Sequence, residues 1–70
     1  MTENFGARLR FIRLSQKLTE AELANAAGIK AATVKRIERR GIRPSLDIAK
    51  RLAHALDIPT ALLLGTEAEQ

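Results

Sequence analysis

The feature that most constrains this chain is a helix marked at both ends, between Thr19 and Gly28. Thr19 followed three residues later by Glu22 forms the capping-box pattern, in which each side chain satisfies a backbone N–H that the first helical turn leaves open. Leu18 before the cap and Leu23 after it can close a hydrophobic staple, and Glu20 and Glu22 suit the positive end of the helix dipole. Gly28 stops the helix after eight residues, because a left-handed C-terminal residue costs glycine little. A helix this short is marginal alone. It must turn and pack against neighbours.

Those neighbours read as helices too. Phe5, Leu9 and Ile12 lie at i, i+4 and i+7, the stripe of a first helix that Thr2 or Asn4 can cap and that fades near Lys17. A third helix runs from about Ala31 to Arg40, with Val34 and Ile37 turned inward. Ser45 caps a fourth, whose inner face is Leu46, Ala49, Leu52, Ala53 and Leu56. Pro59 marks a fifth, Thr60 to Leu64, which Gly65 stops. No stretch alternates like a strand, and the two prolines and four glycines read as punctuation between helices. The expected fold class is all-α, a compact bundle of five short helices.

Seventy residues make one small domain, near the lower size at which a single core holds together. Residues 1–65 are expected to form it, with 66–70 as a frayed polar tail. The chain has no cysteine, and 46% of it is apolar and 29% charged, the balance of a soluble globular protein stabilised by packing. The longest apolar run, Ala61 to Leu64, is too short for a membrane span or a signal peptide, so a cytoplasmic location is expected. His54 is the single histidine and reads as a partly exposed helix residue, so a zinc site lacks ligands. Thr19, Thr33 and Ser45 read as caps or surface hydroxyls, with no base at useful spacing. Neither enzyme chemistry, a cofactor nor a small-molecule ligand is indicated. Phe5, expected in the core, and Phe11, either core or contact surface, are too few to form a stacking platform.

The net charge of +4 is uneven. Arg8, Arg10, Arg13 and Lys17 cluster in residues 8–17, and Lys30, Lys35, Arg36, Arg39, Arg40 and Arg43 face Glu38 alone in residues 30–43. These stretches are either the footprint of a polyanionic partner or a pair of solvated helix faces.

The spacing from Glu20 to Ile37 narrows the choice. Leu23 faces inward, and small Ala24 beside it lets the next helix cross closely. Ala27, Gly28 and Ile29 give an apolar residue, a turn glycine and an apolar plug, and Val34 and Ile37 anchor the second helix. This is a helix-turn-helix, whose second helix protrudes enough to enter a major groove about 12 Å wide.

With ELA, AGI, IE and PS in order before a leucine/alanine helix, and GARLRFIR upstream, residues 5–65 resemble the lambda-repressor-like, XRE-type helix-turn-helix domains. The resemblance implies a transcriptional regulator, a repressor in most readings, that binds duplex DNA through the helix over 31–40. By position it assigns Ala31, Ala32 and Arg36 to base-facing sites, with Thr33 and Lys35 nearby. Arg36 has the fork for guanine O6 and N7, and the alanines can pack against thymine methyls. Lys30, Lys35, Arg39, Arg40 and Arg43 suit phosphates, which give affinity without sequence information. Arg13 and Glu38 match an ion pair between the first and third helices of family members. Glu20 stands where the family commonly has Gln, and its carboxylate repels a phosphate. Lys30 stands where a Ser or Thr cap is usual, so the recognition helix is expected to begin uncapped.

One short recognition helix reads few bases, and relatives pair two copies on a palindromic operator with half-sites about 34 Å apart. A homodimer is expected through Leu62, Leu63 and Leu64, since one turn of helix cannot bury all three. The alternative is a protein-interaction module, such as an antitoxin-type adaptor, that keeps the fold with little base readout. Ala31, Ala32 and Glu20 favour it.

Overall fold

Three of the five helices begin at a residue whose side chain caps them. The computed structural model describes residues 4–65 and contains α1 (Phe5–Ser15), α2 (Glu20–Ala27), α3 (Ala31–Arg40), α4 (Leu46–Leu56) and α5 (Thr60–Leu64). Asn4 caps α1, its side chain accepting from the Ala7 N–H at 2.8 Å. Thr2, the other candidate, and the expected tail over 66–70 lie outside the described residues. The capping box of α2 is complete, with Thr19 Oγ1 accepting from Glu22 N at 3.0 Å and Glu22 Oε1 accepting from Thr19 N at 2.9 Å. Ser45 caps α4 through the Ile48 N–H at 3.2 Å. No side chain caps α3 at Lys30.

The helices enclose one core in which Leu9, Leu23, Val34, Leu52 and Leu63 are wholly buried. α2 packs against α3 and α4, α1 against α3 and α5, and α4 against α5. Phe5, Ala24 and Ile37 are in this core as expected, while Leu18 and Ile29 pack at its edge. Leu46 departs from the expected inner face of α4. It is the first residue of that helix, beyond the reach of the core, and lies exposed.

Gly6 also departs from expectation: it lies within α1 rather than between helices. A β-carbon at Gly6 would collide with the backbone carbonyl of Ile37. Its absence lets α1 and α3 meet backbone to backbone, which rigid main chain could not otherwise accommodate. Gly28 takes the left-handed turn residue, at φ 72°, and directs the chain from α2 into α3.

Side chains of α1 and of the residue that follows it tie down the far ends of the bundle. Gln16 Nε2 donates to the Leu56 carbonyl at the end of α4, at 2.7 Å. Arg8 Nε and Nη2 donate to the carbonyls of Leu63 and Leu64 at 2.9 and 3.0 Å. These carbonyls lack partners within their own helices, and a cation there also suits the helix dipole.

Candidate nucleic-acid interface

α3 owes its orientation to one buried ion pair. Arg13 on α1 reaches Glu38 on α3 by two parallel bonds, Nε to Oε2 and Nη2 to Oε1, each 2.8 Å. Its Nη1 donates to the Leu18 carbonyl at 2.8 Å, so one guanidinium joins α1, the α1–α2 loop and α3. The two side chains keep only 8% and 1% of their exposure. Bidentate geometry of this kind fixes direction, and burial makes it costly to break from one side. The Arg13 pKa is raised, first by the hydrogen bond to Glu38, against the lowering effect of desolvation, and further by the charges of Glu38 and Glu20. A cation with a raised pKa contributes fully at every pH below the ordinary arginine range, so Arg13 titration adds no pH dependence near neutrality.

With Val34 and Ile37 in the core, helical geometry turns the opposite side of α3 outward. Ala32, Lys35, Arg36, Arg39 and Arg40 line a shallow, open depression there. All five are exposed, as are Lys30 before the helix and Arg43 after it. Arg36 and Lys35 make no hydrogen bond or ion pair to other described residues.

One expected site residue, Leu63, is not where sequence reasoning put it, and two others, Ala31 and Thr33, are less open than Ala32. Ala31, three residues before Val34 and on the same side of the helix, is half-buried and packs partly against the core. Thr33, one turn before Ile37, is likewise half-buried at the edge of the face. Leu63, assigned to a dimer interface, is fully buried in the core, and only Leu62 of the three leucines is exposed, at 41%. The short turn of α5 does leave one leucine outside, but it points the middle one in.

Half of the first basic stretch is structural. Arg8 is bound to α5 carbonyls and Arg13 to Glu38, which leaves Arg10 and Lys17 exposed. Sequence reasoning also missed a contact at the interface itself. Arg39 Nη2 donates to Glu20 Oε1 at 2.9 Å, joining α3 to the first residue of α2. Opposite charges were visible at both positions, but their approach depends on the crossing of the two helices. Phe11 is on the outside, 75% exposed, and His54 is exposed on α4. No helix among the described residues is long and apolar enough to cross a membrane.

The helix-turn-helix family matches residues 9–63. The chain is 46% identical over 59 residues to the HTH-type transcriptional repressor RghR of Bacillus subtilis, covering 81% of this chain but 43% of RghR. It thus spans less than half the length of that relative. Among solved structures, the restriction-modification controller protein C.AhdI of Aeromonas hydrophila is 37% identical with a TM-score of 0.80, covering 84% of this chain and 89% of that one. The P22 c2 repressor, solved in complex with a synthetic operator, is 27% identical with a TM-score of 0.81, covering 90% and 96% of the two chains. The match runs from Leu9 in α1 through the glycine turn to Leu63 in α5, and on it the chain belongs to the XRE-type helix-turn-helix family, with the lambda-repressor-like fold.

Proposed function

We propose that this chain is the duplex-DNA-binding domain of a transcriptional regulator that acts as a repressor, with α3 laid in the major groove. The observation that carries the reading is the outward face of α3, where Ala32, Lys35, Arg36, Arg39 and Arg40 stand together on a helix fixed from behind by Arg13 and Glu38. Arg36 reads a guanine through O6 and N7, Ala32 packs against a thymine methyl, and Lys35 serves the neighbouring base or phosphate. Lys30, Arg39, Arg40 and Arg43 neutralise phosphates and carry affinity rather than specificity. The C.AhdI, RghR and P22 c2 likenesses support this assignment, which puts the protein in the cytoplasm at the nucleoid.

In this reading residues 1–65 act as one domain, and two copies bind a palindromic operator with half-sites about one helical turn apart. Leu62, exposed on α5, with half-buried Leu64 beside it, is the surface through which they pair. Leu63 takes no part.

Selection of bound duplexes from a random pool tests the whole reading. It is expected to return a palindrome containing guanine at the Arg36 position, with an affinity that falls steeply with salt. Recovery of random sequence, a flat salt response and tight binding to a protein partner would support the adaptor instead.

A further inference from the structure

Glu20 breaks the family pattern, and its surroundings indicate what it does. Its side chain keeps 13% of its exposure, while that of Arg39, its partner at 2.9 Å, keeps 66%. The acceptor is therefore held against the body of the domain and the donor stands in solvent. Glu22, the other acid of that turn, is already committed to the capping box. A single bond from Nη2 holds Arg39. A guanidinium has five N–H donors, so Nε and Nη1 are left without partners among the described residues. Arg39 lies with Ala32, Lys35 and Arg36 on the outward face of α3.

We propose that Glu20 is a positioning residue for DNA binding. It holds Arg39 at the α2-facing flank of the interface so that the unused edge of the guanidinium meets one backbone phosphate. The proposal rests on the duplex-binding reading above. An arginine loose in solvent must give up its side-chain freedom when it takes a phosphate, whereas an anchored one has already lost it. Arg39 then bridges carboxylate and phosphate, and the repulsion between those two anions is screened by the cation between them.

Charge alone predicts the opposite. A carboxylate near the backbone weakens DNA binding, so deleting it should tighten the complex. The two accounts therefore differ in sign, and a variant series separates them.

The test is duplex affinity of the full chain by fluorescence anisotropy across a salt series, on a pool-selected operator and on scrambled duplex. Thermal melts followed by circular dichroism accompany each variant. Glu20→Ala is expected to weaken operator binding roughly 3- to 10-fold, the scale of one immobilised side chain, with the salt slope unchanged because Arg39 keeps its charge. Glu20→Gln retains an oxygen acceptor and is expected to recover most of the loss. Arg39→Ala is expected to lose as much and to reduce the slope by about one. In that background Glu20→Ala should add nothing.

Operator binding by Glu20→Ala as tight as wild type, or tighter, overturns the proposal and leaves the duplex-binding reading intact. Wild-type protein that binds no duplex overturns both. Should Glu20→Ala fail to fold, the remaining variants decide. Arg39→Ala with wild-type affinity and slope, or Glu20→Gln tighter than wild type, overturns the proposal as well.

Discussion

α2 and α3 are the two halves of one motif, and they are stabilised in opposite ways. Both end on a left-handed glycine, Gly28 and Gly41, but at its start α2 carries its own signals, a complete capping box and acids in the first turn. α3 starts at Lys30 with no side-chain cap and buries only Val34 and Ile37. What α3 has instead comes from behind, through the Gly6 approach to the Ile37 carbonyl and the Arg13 fork on Glu38. The arrangement makes physical sense for a helix whose outer face must stay bare and cationic. Such a helix cannot use that face for packing, so its rigidity is supplied by the elements beneath it.

Substitutions can break this contrast at its strongest point first. Glu38→Ala leaves Arg13 buried without its carboxylate and is expected to cost about 3–5 kcal/mol of stability in urea denaturation, a large share of what a domain this small possesses. An unchanged midpoint would show that α3 does not depend on the pair. Arg36→Ala attacks the other side of the same helix. It should leave the melting curve nearly unmoved while costing about 1–3 kcal/mol of operator affinity and relaxing preference at one base pair. Equal losses on operator and random duplex would make Arg36 a phosphate contact.

Smaller effects sharpen the comparison. Thr19→Ala removes half of the capping box and should cost about 1 kcal/mol of stability, with duplex affinity altered only in proportion to unfolding. Lys30→Ser gives α3 the cap it lacks. A gain of several tenths of a kcal/mol in stability is expected, together with a loss of about one from the salt slope of DNA binding. If that variant gained nothing on melting, the uncapped start of α3 would already be satisfied by solvent.

Most of the fold is legible in the sequence because its determinants are local. Caps at Thr19 and Ser45, the stop at Gly28 and the stripe Phe5–Leu9–Ile12 all act within a turn or two. Gly6 was misread for the same reason: judged locally a glycine in a helix is a weakness, and its purpose emerges only where another backbone passes close. The interface was legible as a basic helix but not in detail. Ala31 and Thr33 sit within one turn of the buried Val34 and Ile37, which leaves them half-buried where Ala32 is exposed. Arg8 counts as free charge in the sequence and is spent on α5 carbonyls in the fold. The Glu20–Arg39 contact joins residues 19 positions apart, so no local pattern announces it.

The central claim is that the solvent face of α3 is what meets a duplex. Amide and side-chain NMR shifts during titration with a pool-selected operator test it most directly. The largest changes are expected at Ala32, Lys35, Arg36 and Arg39, with Phe11 on the outer side of α1 and His54 on α4 nearly still. Shifts concentrated on α1 or α5, with α3 silent, would contradict it.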